Sequence, residues 1–314
     1  MSDRPSRQSL PQDSPPPDAV LSIGDVAKAT GIGPDTIRAW ERRFGRPKPI
    51  RLPSGHRRYS QHDVRWLRRV AEALARGHRA GAAVPATEQA LAALLGPGDE
   101  AERVESAETG RTLDAVRAYR RGEVEAELDA AWRELGPDVF LEQRLAPLLH
   151  AVGRRWVDAT LELRHEHFLT EVLQDFLRAR RLEAPAVQAG PTIVLATLPD
   201  EAHGLGLQMA ALVCAERRFA SHILGTEAPA AEIASSAREL RAMAVAISVS
   251  LASGGVATDQ SLAELRRALP HRTTLLAGGG GARRGRRGVR GIVYLEDLRQ
   301  LGAWLEASRR GGAA

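Results

Sequence analysis

The spacing of apolar residues changes character near residue 190. Between residues 108 and 183, apolar positions recur at three- and four-residue intervals, which is typical of amphipathic helices. From residue 192 onward, short apolar runs alternate with helix-length or loop segments. These runs are Thr192–Leu198, Ala220–Gly225, Ala244–Val249, Thr273–Ala277 and Gly291–Leu295. The pattern predicts a multidomain α and α/β protein, with a four-helix-type bundle followed by a Rossmann-like parallel sheet.

Segments rich in proline, glycine and charge separate these patterns. Residues 1–19 hold too little apolar surface to offset the entropy of ordering, so we predict a disordered tail there. Linkers are predicted at residues 96–106 and 184–191, where Gly, Pro or acidic residues interrupt the helical spacing. The expected domains are residues 20–90 at the N-terminus, 105–187 for the bundle and 190–312 for the sheet domain.

A short helix, a turn and a second helix are predicted at the start of the first domain. Ser22, with Asp25 three residues later, suits the cap of a helix that ends at Gly31, and Pro34 suits the first position of the next helix. The second helix carries polar and basic side chains that suit a major groove. In the hairpin that follows, at residues 51–59, arginines and a tyrosine are expected to reach phosphates. This pattern predicts a winged helix-turn-helix.

The charge distribution supports a nucleic-acid partner for this region. The chain has 44 lysines and arginines against 39 acidic residues, yet residues 21–80 alone carry 14 basic and 5 acidic side chains. This local excess leaves the rest of the chain mildly acidic, so we place the DNA-binding surface at the N-terminus. For Trp40 a place in the core is the favoured alternative to DNA contact. The candidate DNA-binding residues are Thr36, Arg38, Trp40, Arg42, Arg43, Arg51, His56, Arg57 and Tyr59.

The same residues resemble the signature of the MerR family of bacterial regulators, over residue 21 to about 88. The resemblance implies that the helix bearing Arg38 enters the major groove of double-stranded operator DNA and that the wing contacts the backbone. It also implies a homo-oligomer, from dimer to tetramer. The matching residues are Thr36, Arg38, Trp40 and Glu41 in the helix, then Arg51, Gly55, His56, Arg57 and Tyr59 in the wing.

A second group of polar residues follows the first predicted strand of the sheet. Glu201 lies two positions before His203, close enough in a bent loop to orient the imidazole, as partners of metal-binding histidines do. Gly206 lets the chain turn away beneath a bulky ligand. Because the carboxyl ends of parallel strands share one edge, we expect groups from later strands to converge there. Those groups are Ser248, Ser250 and the glycine run 278–281, which begins with Gly278 and Gly279.

This order of residues resembles the cobalamin-binding domains of the methionine synthase and methylmalonyl-CoA mutase type. Two positions depart from their pattern: Glu201 stands in place of Asp, and Ser250 stands where Leu or Thr is commoner. The resemblance implies that His203 is the lower axial ligand of cobalt and replaces the dimethylbenzimidazole of the cofactor. The slot for the nucleotide tail would be formed by Ser248, Ser250, Gly278 and Gly279.

Within the bundle, Trp156 is followed after nine intervening residues by Glu166 and His167. This motif resembles the cap of the adenosylcobalamin photoreceptor repressors of the MerR family, which control carotenoid biosynthesis genes. The resemblance implies that the three side chains surround the adenosyl group. It further implies a tetramer that holds operator DNA in the dark and dissociates when light breaks the cobalt–carbon bond.

Val157 departs from the light-responsive members, in which a histidine follows the tryptophan and captures cobalt after photolysis. His150 and His165 are candidate substitutes.

Two alternatives to a light-responsive repressor remain: a cobalamin sensor indifferent to light, and a cofactor-free regulator that uses its C-terminal domain for assembly. A corrinoid enzyme is less favoured, because the chain holds no substrate barrel of roughly 200 to 250 residues. The arginine cluster at residues 283–290 is expected to be a solvated loop.

The remaining composition bounds the cellular compartment. Cys214 is the single cysteine, which excludes an internal disulfide and fits a reducing cytoplasm. No apolar run approaches the about 20 residues that span a bilayer, and the first 20 residues lack the apolar core of a secretory signal. We therefore expect a cytoplasmic protein. Because the chain holds no substrate barrel and the DNA-binding region would be unexplained in an enzyme, we expect a protein that is not an enzyme.

Overall fold

The computed structural model describes residues 21–75, 78–95, 106–157, 160–184, 190–250, 253, 256–282 and 289–311. The predicted disordered tail, most of both predicted linkers and most of the arginine cluster lie outside these ranges. In the part of the chain that is described, no helix is long and apolar enough to cross a membrane.

The N-terminal unit is a winged helix-turn-helix, as predicted. Ser22 and Asp25 form the expected capping box, and the first helix ends at Gly31, whose φ of 67° favours glycine. The wing is an antiparallel pair in which Ile50 lies opposite Arg58. The elements are α1 (Ile23–Thr30), α2 (Pro34–Phe44), β1 (Ile50–Arg51), β2 (Arg57–Arg58), α3 (Gln61–Ala75), α4 (Ala80–Ala83) and α5 (Glu88–Leu95).

The middle unit is the predicted four-helix-type bundle, with one irregularity that the sequence pattern does not reveal. Its third helix contains a π-helical turn at Leu141–Leu145, from which Arg144 enters the interior. The Arg144 guanidinium donates to the hydroxyls of Thr109 and Thr112, at 3.1 and 2.7 Å. The helices are α6 (Ala107–Arg117), α7 (Arg121–Leu135), α8 (Pro137–Phe140) running through the π-helical turn into α9 (Ala146–Val157), and α10 (Leu163–Glu183).

The C-terminal unit is a five-stranded parallel sheet with the order β4-β3-β5-β6-β7. All five predicted strands are present. Because β4 and β5 flank β3 on opposite sides, the order reverses at β3, and ligands bind at such switch points beyond the carboxyl ends of the strands. The strands are β3 (Thr192–Ala196), β4 (Ala220–Gly225), β5 (Ala244–Ser248), β6 (Thr274–Gly278) and β7 (Ile292–Leu295).

Helices cover both faces of this sheet, and the bundle packs on one of them. The first face, toward the bundle, shares a contiguous apolar core with the bundle and the winged helix. Arg217 ties the two later units together, since its guanidinium binds both carboxylate oxygens of Asp138, at 3.0 and 2.9 Å, and Glu306 at 3.2 Å. The helices are α11 (Leu205–Glu216) and α14 (Leu298–Gly311) on that face, and α12 (Ala230–Glu239) and α13 (Val256–Ala268) on the other.

Candidate functional site

Glu201 is the centre of a hydrogen-bonded group at the carboxyl edge of the sheet. Its side chain is only 3% exposed. One carboxylate oxygen, Oε1, accepts from Nδ1 of His203 at 2.7 Å and from the His203 backbone N–H at 2.9 Å. The other oxygen accepts from the Ser250 backbone N–H at 2.6 Å and from the Ser253 hydroxyl. A single buried carboxylate thus joins the loops that follow β3 and β5.

These contacts determine which nitrogen of His203 is free. Burial alone would raise the pKa of Glu201, but hydrogen bonds from His203, Ser253 and Ser250, together with the charge of His203, outweigh it and lower the pKa to about 2. An ionised carboxylate only accepts hydrogen bonds, so Nδ1 of His203 carries a proton in this pair. Nε2 is then the nitrogen that remains for a further partner, and 37% of the His203 side chain is exposed.

At this edge of the sheet, a close backbone approach requires glycine at position 279, and Gly206 lies directly against a serine side chain. A Cβ placed on Gly206 would lie 2.5 Å from the Ser248 Oγ. Gly279 has a φ of 106°, and a Cβ there would lie 2.4 Å from the Val249 carbonyl oxygen. A Cβ on Gly278 would meet only ordinary contacts at 3.6 Å. The loops after β3, β5 and β6 therefore present hydroxyls and bare backbone along one edge of the sheet.

The donor set fits a corrin cofactor. A corrin would hold its cobalt through the nitrogens of its ring, and an imidazole nitrogen from the protein would be a suitable further ligand in place of the cofactor's own dimethylbenzimidazole. His203 offers one imidazole nitrogen, and Glu201 holds the ring through the other nitrogen, as carboxylates commonly do for metal-binding histidines.

The three upper residues of the predicted site are less closely grouped. Glu166, in the first turn of α10, is ion-paired with Arg68 of α3 at 2.5 Å. His167 is exposed. Trp156 lies in the last turn of α9, and its side chain, like that of Val157, lies outside the described part of the structure. No hydrogen bond among the described residues joins Glu166 or His167 to the lower group, so their contact with a cofactor stays a prediction.

The predicted DNA-binding residues divide into exposed and supporting sets. Arg38 is 39% exposed and paired with Asp35 at 2.7 Å. Glu41, matched by the family pattern but not predicted as a functional residue, accepts from Arg51 at 3.1 Å and from Arg57 at 2.7 Å, which fastens the wing to α2. The exposed candidates are Thr36, Arg42, Arg43, Arg51 and His56.

Two aromatic residues correct the expectation of DNA contact. Tyr59 is fully buried, because its backbone pairs with Leu21 and directs the ring into the core, where burial raises its pKa to about 12. Its hydroxyl has no partner among the described residues and does not reach the surface. Trp40 is 8% exposed and lies on the buried face of α2 beside Ile37. Both side chains lie beneath the surface that carries the exposed candidates.

Three contributions to these sites were not predicted. Arg68 has no local signal, because its partner lies 98 positions away in the sequence. Ser253 lies in a segment without apolar periodicity. The third is the bridging role of Glu41, for which the charge opposite the wing arginines was a usable clue.

The chain combines a winged helix-turn-helix that carries exposed arginines with a parallel-sheet domain. At the switch point of that sheet, a histidine is hydrogen-bonded to a buried carboxylate. These features define a DNA-binding regulator with a corrinoid-type ligand domain. Residues 21–84 match the MerR HTH family regulatory protein description, and residues 110–181 and 191–295 each match a B12 binding domain. The chain belongs to the family of MerR-type transcriptional repressors that carry B12-binding domains.

The relatives that place it there come from Myxococcus xanthus. The chain is 32% identical to the HTH-type transcriptional repressor CarH over 267 residues, which is 83% of this chain and 89% of that protein. It is 30% identical to the repressor CarA over 230 residues, 73% and 76% of the two chains. A solved monomethylamine corrinoid protein of Methanosarcina barkeri is similar at 15% identity with a TM-score of 0.46, covering 62% of this chain and 96% of that one.

Proposed function

We propose that this regulator is a repressor controlled by adenosylcobalamin, with Nε2 of His203 as the lower axial ligand of cobalt. The observation that carries the proposal is the hydrogen bond between the buried Glu201 carboxylate and Nδ1 of His203, at 2.7 Å. Such a partner fixes the tautomer of a metal-binding imidazole and raises the basicity of its other nitrogen. The identity to two transcriptional repressors supports operator DNA as the second ligand.

The other residues of the site would hold the remainder of the cofactor. The edge formed by Ser248, Ser250, Gly278 and Gly279 would admit the nucleotide tail, since it combines hydroxyls with bare backbone. Trp156, Glu166 and His167 would enclose the adenosyl group at the ends of α9 and α10. When bound, adenosylcobalamin would supply a cobalt–carbon bond that visible light breaks.

Control of DNA binding would act through assembly. We propose a homotetramer in the dark that occupies the operator and a smaller species after illumination. A ligand shifts such an equilibrium only as far as its affinities for the two states differ. In this chain the difference would arise at α9 and α10, whose residues are the ones expected to contact the adenosyl group.

A second candidate is a cobalamin sensor that ignores light, and the surroundings of His165 favour it. Val157 stands where light-responsive relatives are expected to carry a cobalt-capturing histidine. His165 is 7% exposed, and its Nδ1 accepts from the Glu162 backbone N–H at 3.0 Å. The ring also packs 5.2 Å from that of Tyr119. His165 is therefore already engaged within the bundle.

The test is to reconstitute the full chain with adenosylcobalamin in the dark and to record absorbance and gel-filtration profiles before and after green illumination. A cofactor-bound oligomer that becomes smaller in light supports the photoreceptor. Binding without a change in size assigns the light-indifferent sensor, and absence of binding assigns the C-terminal half to assembly alone. His203→Ala should lose the cofactor, whereas the matched variant His222→Ala, an exposed histidine on β4, should retain it.

A further inference from the structure

Thr197, which directly follows β3, is a buried residue at the base of the loop that carries His203 (residues 198–203, the histidine loop). Its Oγ1 donates to the Glu201 carbonyl oxygen at 2.5 Å and accepts from the Glu227 backbone N–H at 2.8 Å. A hydroxyl carries one donor and two acceptor sites, so one side chain satisfies both groups. Burial alone would favour valine, which has the same shape, so the hydroxyl serves these two bonds.

Thr197 also ties the histidine loop to the loop after β4. Its carbonyl oxygen accepts from the Ala228 backbone N–H at 3.0 Å. A Cβ built on Gly204, directly after the histidine, would lie 3.3 Å from Cγ2 of Thr226, so the two loops also approach closely there. On the opposite side, the Glu201 carboxylate accepts hydrogen bonds from the loop after β5. Two buried side chains, those of Thr197 and Glu201, therefore fasten the histidine loop to both neighbouring loops.

The backbone of the histidine loop needs such support. Asp200 has a φ of 67°, in the left-handed region that is unfavourable for most residues other than glycine. Such a conformation persists only where surrounding contacts hold it. The next residue, Glu201, is held at both backbone groups, since its N–H donates to the Leu198 carbonyl oxygen at 3.2 Å and its carbonyl oxygen accepts from Thr197. The direction of the Glu201 side chain, and with it the orientation of His203, depends on these two bonds.

We propose that Thr197 is a positioning residue of the cofactor site, whose hydroxyl holds the histidine loop in the conformation that presents Nε2 of His203. The inference rests on the proposed function, because it takes His203 as the axial ligand of cobalt. In Thr197→Val the Glu201 carbonyl and the Glu227 N–H lose a buried hydrogen-bond partner, which is unfavourable unless the loop moves and exposes them to water. A loop that has moved no longer holds His203 ready, and the cofactor's own dimethylbenzimidazole then competes for cobalt.

Axial coordination tests the proposal. In the EPR spectrum of the unlabelled cobalt(II) cofactor bound to ¹⁵N-labelled full-length protein, a nitrogen from the protein gives doublets and one from dimethylbenzimidazole gives triplets. We expect Thr197→Val to bind cobalamin roughly tenfold more weakly and to show triplets, whereas Thr197→Ser keeps the hydroxyl and shows doublets. The matched control with doublets is Thr273→Val, because this buried threonine also donates to a carbonyl, that of Ala242 at 3.0 Å, but at the amino end of the sheet. Doublets from Thr197→Val overturn the proposal.

The cofactor-free protein provides a readout that does not depend on the proposed function. In NMR spectra of full-length protein with ¹⁵N-labelled histidines, the ring signals of His203 are identified by their absence in His203→Ala. They should show one neutral tautomer with its proton on Nδ1, because that nitrogen donates to Glu201. Thr197→Val should show exchange between the two tautomers, and Thr273→Val should not. One unchanged tautomer in Thr197→Val overturns the proposal.

Thr197→Cys repeats this measurement if Thr197→Val does not fold. A thiol is only a weak donor and acceptor, so exchange between tautomers is expected in this variant too. A single unchanged tautomer in Thr197→Cys then overturns the proposal. If the wild type binds no cobalamin, or keeps dimethylbenzimidazole on cobalt, the proposed function fails, while the tautomer of His203 still decides whether Thr197 orients it.

Discussion

Nδ1 of His203 and Oε1 of Glu201 lie 2.7 Å apart, and the same buried carboxylate also accepts from the Ser250 backbone N–H. The histidine is therefore oriented before any ligand arrives, and its orientation is tied to the loop after β5. Preorganisation of this kind reduces the entropy lost on binding.

Replacing Glu201 with Gln should weaken cobalamin binding by roughly ten- to a hundredfold. The amide oxygen of the glutamine can accept a hydrogen bond from one of the two loops. Its amide nitrogen only donates, so it cannot accept the hydrogen bond from the other loop. Absorbance titration with adenosylcobalamin measures the effect, with Glu264→Gln on the exposed face of α13 as control. If Glu201→Gln binds cobalamin with an affinity within about twofold of wild type, the carboxylate does not orient His203 for binding.

Two adjacent glycines should respond very differently to alanine. Gly279→Ala forces a side chain onto a φ of 106° and against the Val249 carbonyl oxygen, so a loss of at least about 2 kcal/mol in the free energy of unfolding is expected. Gly278→Ala meets only ordinary contacts and should cost less than about 1 kcal/mol. Urea denaturation compares the two variants, and equal losses would argue against the close approach of the loops after β5 and β6.

Glu41→Gln tests whether the ion pairs between α2 and the wing matter for DNA binding. Removing a negative charge from a DNA-facing unit should strengthen binding if only net charge counts. Because Glu41 positions Arg51 and Arg57, we expect weaker binding instead, by roughly 1 kcal/mol, to an operator selected from random sequence by the wild-type protein. Fluorescence anisotropy measures whether the affinity for the operator falls or rises, and tighter binding by Glu41→Gln would refute the positioning role of Glu41.

Arg42→Ala should weaken binding for a different reason. Its side chain is exposed in the last turn of α2, so we expect a phosphate contact rather than a contact to a base. Affinity should then fall for selected and random duplexes alike, and the slope of log K against log salt should decrease by about one. Arg299→Ala, an exposed arginine at the start of α14, is the control. Loss confined to the selected operator would assign Arg42 to base recognition.

Arg217 is expected to couple the bundle to the sheet domain. Its side chain is 15% exposed, but its partners Asp138 and Glu306 are 61% and 57% exposed, so solvent screens the pairs. We therefore expect Arg217→Ala to lower the free energy of unfolding by about 1 kcal/mol, compared with little effect for Arg299→Ala. If the bundle and the sheet domain of Arg217→Ala unfold in separate transitions, Arg217 is the main residue that couples them. If Arg217→Ala and Arg299→Ala have the same unfolding free energy, Arg217 does not couple the two units.

Local patterns were sufficient to predict most of the fold. The capping box at Ser22 and the five apolar runs each depend on neighbours within a few residues, and all are present. Tyr59 shows the limit of such patterns, because a tyrosine after arginines suits either surface or core, and its direction depends on the distant pairing with Leu21. The π-helical turn around Arg144 likewise depends on partners in α6.

The candidate site was predictable where one loop contains the interacting groups. Glu201 and His203 are two residues apart, so their hydrogen bond was within reach of sequence reasoning. The pairing of Arg68 with Glu166 was not, since neither residue has a charge pattern that specifies a partner in another domain. Contacts between domains depend on how the folded units dock.

The most direct test of the central claim is the EPR spectrum of the cobalt(II) form of the cofactor, unlabelled, bound to uniformly ¹⁵N-labelled protein. An axial ¹⁴N splits each cobalt line into three, whereas ¹⁵N splits it into two. If His203 supplies the axial nitrogen, ¹⁵N-labelled wild-type protein will show doublets, whereas unlabelled wild-type protein will show triplets. Triplets from labelled wild-type protein would show that the cofactor's own dimethylbenzimidazole remains bound, and would contradict the role assigned to His203.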